Sequence, residues 1–371
     1  MRDRAEANVT ARMRIGLLAS ALGGGGGMGR YTRELILALG QEQAVEMTVV
    51  IAPEARGTLE SIDVPNVNEI ISVGGRSQID RALWERYRLG PILEKRSVDV
   101  IHGTKHLLPR TKLPTVLTVH DVLAITWPQQ YAFVKRALLP RYFRASLRAA
   151  SVLLAVSEAT AKRLAQVDGS FRSKTMVAQN GVSVELTSAS PLLPIDKPVG
   201  RFALVVGDLS PRKNVSLLID IWDRVASATD GLQLVAVGPD GWRSAQTRDR
   251  LEKLAERGHA MWAHRVGDQQ LRWYYEHATV VLAPAIEEGF GLPVAEALAL
   301  GAPVIASNDE ALVEVARGGA VHIPADDPTA WVEAIVSAAG RSVPRLPQPS
   351  LPTWREHAAR TVDAYRRAIG G

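Results

Sequence analysis

The chain has 371 residues, 46% of them hydrophobic and 22% charged, a globular composition in a length that suits two domains better than one core. It contains no cysteine, which excludes disulfides, thiolate metal sites and a thiol nucleophile and fits a reducing, cytoplasmic setting. The 44 basic residues exceed the 39 acidic ones by a margin that suits anionic small molecules or an anionic membrane surface, while 5% aromatics and the lack of any helix-turn-helix, zinc-finger or RNA-binding pattern argue against nucleic acid.

In chain order, residues 1–12 are polar, carry Arg2, Arg4 and Arg12, and read as a flexible extension. No apolar run reaches the ~18 residues of a membrane-spanning helix, and residues 15–22 are too few, with no cleavage pattern behind them, for a signal peptide. Strand-like runs at 14–19, 45–51, 98–102, 115–120, 152–156 and 175–179 alternate with helical stretches, which predicts a parallel, doubly wound α/β sheet. Between the first strand and a helix expected over 31–39 lies the glycine run Gly23 to Gly27, followed by Met28, Gly29 and Arg30. Backbone there can approach a phosphate or a sugar closely. Gly24, Gly26 and Gly29 also satisfy the dinucleotide spacing G-x-G-x-x-G, with Glu54 25 residues beyond Gly29, but five consecutive glycines satisfy almost any glycine spacing. His120-Asp121 closes the fourth run at a carboxyl strand end, with His102 closing the third.

Arg141, Arg144 and Arg148 share one helical face in a segment that also holds Phe133, Lys135, Leu138, Tyr142, Phe143 and Leu147. This is a candidate contact for anionic lipid as well as an ordinary solvated basic face, with Pro140 expected to interrupt any single long helix. Asn180-Gly181-Val182 is turn chemistry. Pro191, Pro194 and Pro198 then fall within eight residues, so a domain boundary is expected at 190/191.

The alternation restarts at 202–206, 232–237, 280–283 and 304–306, predicting a second sheet of the same type. Ser210-Pro211-Arg212-Lys213-Asn214 follows the first of these strands, on the edge where open α/β sheets bind ligands. Arg212 offers a fork for phosphate oxygens and Lys213 a compact charge. Trp262, His264, Arg265 and Gly267 precede a helical stretch at 271–278.

The most telling segment is Glu288-Gly289-Phe290-Gly291-Leu292-Pro293-Val294-Ala295-Glu296, between the strand at 280–283 and a helix closed by Gly301. Its glycine-flanked turn presents backbone N–H groups at a helix start, where the dipole favours an anion. The two carboxylates beside such a site are suited to accept hydrogen bonds from hydroxyls, Glu296 in the first helical turn from a ribose and Glu288 from a sugar. A last helix opens at Thr353-Trp354 and runs to about residue 369.

The nine-residue segment, the Arg-Lys pair and the N-terminal glycine loop together resemble the retaining glycosyltransferases of family 4. The resemblance implies the GT-B fold, two Rossmann-like domains facing an interdomain cleft: residues 1–190 on the acceptor side, 191–352 binding the nucleotide sugar, and 353–371 crossing back to the N-terminal domain. It implies that Glu296 binds the ribose, that Glu288 lies beside the donor sugar, and that Gly289, Phe290, Gly291 and Leu292 give backbone donors to sugar and diphosphate. Arg212 and Lys213 then hold the diphosphate, His120 hydrogen-bonds the donor sugar, Gly29 and Arg30 face the diphosphate, and Arg265 belongs to the base-binding segment. The implied reaction transfers a hexose from a nucleoside diphosphate sugar to a hydroxyl of a glycan, a lipid-linked glycan or a small molecule, in the cytoplasm or at the inner face of the membrane. No metal and no cofactor is expected, and the sequence leaves the donor base, sugar and acceptor open.

Two carboxylates would also serve a glycoside hydrolase, which needs neither the Arg-Lys pair nor the glycine turns. The other rivals are an NAD-dependent oxidoreductase, supported by the glycine run alone, and a noncatalytic nucleotide-sugar-binding module.

Overall fold

The computed structural model describes residues 12–24, 26–75, 77–131, 133–340 and 349–371. Gly25 and residues 1–11 of the expected N-terminal extension fall outside this range, as do the side chains of Phe133 and Lys135. The strands are β1 (Met13–Leu18), β2 (Val45–Ile51), β3 (Val67–Ser72), β4 (Val100–Gly103), β5 (Thr115–Val119), β6 (Val152–Ala155), β7 (Thr175–Val177), β8 (Phe202–Val206), β9 (Gln233–Val237), β10 (Ala260–Trp262), β11 (Val280–Ala283), β12 (Val304–Ser307) and β13 (Val321–Ile323). They form a seven-stranded sheet ordered β3-β2-β1-β4-β5-β6-β7 and a six-stranded sheet ordered β10-β9-β8-β11-β12-β13. Every pairing in both is parallel. Each order is doubly wound, with its reversal beside the first strand of the half, between β1 and β4 and again between β8 and β11. In such sheets ligands bind at the carboxyl ends of the strands flanking the reversal.

Strands β3, β10 and β13, absent from the expected alternation, all lie at a sheet edge. An edge strand is covered on fewer sides, so it needs no continuous apolar run; β3 is mostly half-exposed.

The first helix, α1, spans Gly27–Gly40 and so begins inside the glycine run rather than at Tyr31. Helix α2, Phe133–Ala149, corrects the expected interruption at Pro140, because it runs through that residue unbroken. Proline removes one helical hydrogen bond. Burial of Phe143 and Leu147 in the core under the sheet holds the two turns that follow in line. That burial also withdraws Phe143 and Leu147 from any lipid contact, while Leu138, Arg141, Arg144 and Arg148 stay exposed and Tyr142 is half-buried.

The chain divides into one unit of residues 1–181 with 353–371 and another of residues 182–352, so the crossing lies at Gly181 rather than at residue 190. The reason is hydrogen bonding. Helix α3 (Val184–Ser188) and the proline-rich segment behind it belong to the second unit because they lie along α4 (Asp268–His277). Arg272 donates to the Thr187 carbonyl, Leu192 N–H to the Gln269 carbonyl at 3.0 Å, and Tyr274 Oη to the Asp196 carbonyl at 3.0 Å. The C-terminal helix, Trp354–Gly370, opens with a capping box between Thr353 and Glu356 and packs against α1, β4, β5 and β6. It therefore completes the first unit.

Candidate active site

In the second unit the residues after β8 and those after β11 are stitched together. Pro211–Lys213 forms a single 3₁₀ turn ended by Asn214 in the left-handed conformation, φ 56°. Asn214 Nδ2 donates to the carbonyls of Pro284 (3.2 Å) and Ala325 (2.9 Å), and Ile286 N–H donates to the Arg212 carbonyl at 2.8 Å. These bonds set the position of the basic pair against the next loop. As a result Glu288 Oε2 lies 2.8 Å from Arg212 Nη1, and Oε1 is bonded by Lys213 Nζ. Glu288 is 8% exposed. Burial by itself would raise its pKa, but the charges of Arg212 and Lys213 and the hydrogen bonds they donate outweigh that effect and hold the carboxyl at about 2. At neutral pH the site is two cations sharing one carboxylate. That three-residue cluster carries one net positive charge, and a cavity of about 20 Å³ lined by Gly207, Asp208, Lys213, Glu288, Gly291 and Pro293 opens beside it at the carboxyl edge of the sheet, enough for one water molecule.

The turn that follows requires glycine. Gly291 has φ 94°, and a Cβ there would meet Leu312 Cδ2 at 2.6 Å. It caps helix α5 (Leu292–Ala299), with Pro293 in the first turn. Phe290 is buried at 4% exposure, so it offers a ligand backbone rather than its ring, while Gly289 is half-buried. Because the helix begins at Leu292, its first turn holds no acidic residue, and Glu296 lies one turn deeper than expected. Its carboxylate is 3% exposed and accepts a hydrogen bond from Tyr275 Oη at 2.9 Å. Tyr275 was not a candidate from the sequence, where it is one apolar-face residue of a helix. Arg265 stands apart from this cluster: it is exposed beyond β10, which β9 separates from β8.

In the first unit Gly29 packs against the glycine run, with room for no side chain, since a Cβ would fall 1.8 Å from the Gly24 carbonyl oxygen. Arg30 follows it in the first turn of α1, half-buried. His120, just past β5, directs Nε2 to the Thr104 carbonyl at 3.1 Å, and its ring meets Tyr31 edge-on with centroids 4.4 Å apart. Burial brings its pKa down to about 4, with Asp121 and the Thr104 carbonyl working the other way, so the ring is neutral at pH 7. A carbonyl can only accept, so the proton is on Nε2 and Nδ1 is the acceptor. His102, in β4, is fully buried and bonds Thr118 and Tyr365, so it does not line the site. Among the described residues no group of three or more His, Asp or Glu is arranged to hold a metal ion.

Two family models cover most of the chain: Glycosyltransferase Family 4 matches residues 25–186, and Glycosyl transferases group 1 matches residues 196–339. The chain belongs to these glycosyltransferases. Similar proteins include the O-antigen chain mannosyltransferase B of Escherichia coli, 25% identical over 92% of this chain and 96% of the relative. The phosphatidyl-myo-inositol mannosyltransferase of Mycobacterium leprae is 35% identical over 43% of this chain and 42% of its own. Among solved structures, Anabaena Alr3699/HepE in complex with UDP-glucose superposes with a TM-score of 0.66 at 17% identity, covering 96% of this chain and 95% of that one. The fold of this glycosyltransferase is GT-B. The dinucleotide reading of Gly24, Gly26 and Gly29 gains nothing from these matches, and the family membership makes the chain a hexosyltransferase rather than an oxidoreductase.

Proposed function

We propose that this glycosyltransferase acts with retention, taking a hexose from a nucleoside diphosphate and placing it on a hydroxyl of a glycan or glycolipid. The observation that carries the reading is the Arg212–Glu288–Lys213 cluster at the reversal point of the second sheet, next to the amino end of α5. As the bond from the sugar C1 to the phosphate oxygen breaks, its electron pair moves onto the diphosphate. Arg212, Lys213 and the N–H groups of the Gly291 turn stabilise that charge. The acceptor oxygen bonds to C1 from the same face, and its proton passes to the departing phosphate oxygen. Glu288 holds the donor hydroxyls beside the cationic centre, Glu296 takes the ribose, and His120 Nδ1 accepts from a hydroxyl of the donor sugar. This route needs no metal ion or redox cofactor. The similarity to an O-antigen chain mannosyltransferase and to a phosphatidyl-myo-inositol mannosyltransferase supports a mannosyl donor and a glycan or lipid-linked acceptor.

Thermal shift with GDP-mannose, UDP-glucose and NADH tests the donor class. A sugar nucleotide at ~100 times its Kd should add about 2.7 kcal/mol of stability and NADH none. Diphosphate release with candidate acceptors, and the anomeric configuration of the product by NMR, complete the assay. NADH binding without any response to sugar nucleotides, or an inverted product, would overturn the reading.

Peripheral attachment to an anionic membrane is part of the same proposal, resting on the exposed Arg141, Arg144 and Arg148. At about 1 kcal/mol per basic residue such binding is weak and screened by salt. Sedimentation with phosphatidylglycerol vesicles should carry down part of the protein at low ionic strength and none at ~1 M salt, where the screening length is near 3 Å. No bound protein at low ionic strength would rule the attachment out.

A further inference from the structure

Five buried side chains of the first unit form a hydrogen-bonded row, one member of which, Tyr31, packs against His120. Tyr365 Oη bonds His102 Nδ1 at 2.8 Å, and His102 Nε2 bonds Thr118 Oγ1 at 2.7 Å. Thr118 Oγ1 bonds Tyr31 Oη at 2.9 Å, Tyr31 Oη bonds His357 Nε2 at 3.2 Å, and His357 Nδ1 lies 3.1 Å from the Gln179 carbonyl. All five are at most 1% exposed. The direction of every bond follows from the last one. A carbonyl only accepts, so His357 carries its proton on Nδ1 and accepts at Nε2, and Tyr31 must donate to it. With its single proton committed, Tyr31 accepts from Thr118, Thr118 accepts from His102 Nε2, and His102 Nδ1 accepts from Tyr365. Both imidazoles are neutral at physiological pH because burial lowers them, His102 to about 3 and His357 to about 4.

The row therefore has one arrangement. Two of its members, His357 and Tyr365, come from the C-terminal helix, and the ring it clamps, Tyr31, is the one that stands edge-on to His120 at 88°. We propose that Tyr31 is a positioning residue for His120, held by His357 of the C-terminal helix, and that this clamp fixes the imidazole with Nδ1 presented as the acceptor. The inference rests on the assignment of His120 to the donor sugar for its effect on turnover, but its structural content does not. Without the Tyr31 hydroxyl the ring can slide, and His120 is released to turn away from the Thr104 carbonyl.

The test uses the full-length protein with ¹⁵N-labelled histidine. In Tyr31→Phe the His120 ring nitrogens are expected to shift from a single Nε2–H tautomer to a mixture, and kcat should fall by roughly tenfold with a smaller change in KM, since misplacement by a fraction of an ångström costs less than the ~100-fold given for a full one. His357→Gln can donate to the Gln179 carbonyl through its amide and accept from Tyr31 through its oxygen, so it should leave the His120 spectrum as in the wild type. His357→Leu should reproduce the Tyr31→Phe spectrum, and it decides the matter if Tyr31→Phe does not fold. An unchanged His120 spectrum in both Tyr31→Phe and His357→Leu would overturn the proposal. A shifted spectrum with turnover unaffected, together with unaffected turnover in His120→Ala, would instead uphold the clamp and remove His120 from the donor site.

Discussion

Replacing Glu288 by glutamine is expected to cut turnover by ~100-fold or more while leaving the affinity for nucleoside diphosphate intact or higher. The two effects have one origin. In the resting protein the Glu288 carboxylate is shared by Arg212 and Lys213, so an incoming diphosphate meets two cations partly offset by one negative charge. The amide has the same shape and leaves no cavity, but it lets both cations act on the diphosphate at full strength. The donor sugar, in contrast, loses the charged acceptor that orders its hydroxyls near the breaking bond. Stability should move in the opposite direction to product affinity. Removing one partner of a buried ion pair costs about 3 kcal/mol or more, because the remaining charges stay desolvated, so the ligand-free variant should melt well below the wild type and recover more of the loss when nucleoside diphosphate is added. Steady-state kinetics, calorimetric titration with the diphosphate and paired melting curves check the three parts. Wild-type kcat in the variant would show that Glu288 has no place in the chemistry, and a diphosphate Kd raised tenfold would show that its carboxylate does not weaken the hold of the two cations on the diphosphate.

Acidification should destabilise the first unit well before the second. His102 and His357 are neutral in the fold, at about 3 and about 4, against an ordinary value of 6.5, because burial penalises their charged forms. In the unfolded chain both take up protons below pH 6.5, so stability falls as the pH drops from there towards 4. The slope approaches about 1.4 kcal/mol per pH unit for each ring, and near pH 5 the two together amount to roughly 4 kcal/mol. Glu288 has the opposite behaviour. Its lowered pKa contributes stability that is present above 4.5 and is lost only as the pH falls through about 2, so it does not act in the window where the histidines do. Urea denaturation between pH 7 and pH 5 should show the steep loss, and His357→Gln should reduce the slope by about one proton's worth. A denaturation midpoint that stays constant from pH 7 to pH 5 would mean that the two rings are accessible to protons in the native state.

Much of this was legible in the linear sequence, for identifiable reasons. Strands β8 and β11 have the bounds their apolar runs suggest, because a strand buried on both faces of a parallel sheet shows as a continuous apolar stretch, and β2 keeps its expected bounds although Glu46 and Thr48 interrupt its run. The Arg212-Lys213 turn and the Gly291 cap were readable because backbone conformations that demand glycine or proline leave a local mark. Edge strands β3, β10 and β13 left no such mark, and the helix through Pro140 broke a local rule that core packing overrode.

By itself, the sequence determined the two doubly wound halves, the basic pair, and the glycine turn with its two acidic residues, since each depends on interactions among neighbours along the chain. Only the tertiary structure decided that Glu288 sits between Arg212 and Lys213, the latter 75 positions away, that Glu296 is held by Tyr275, and that Tyr31 meets His357 across 326 positions. Contacts over such separations arise from how sheets and helices stack, and no local propensity records them.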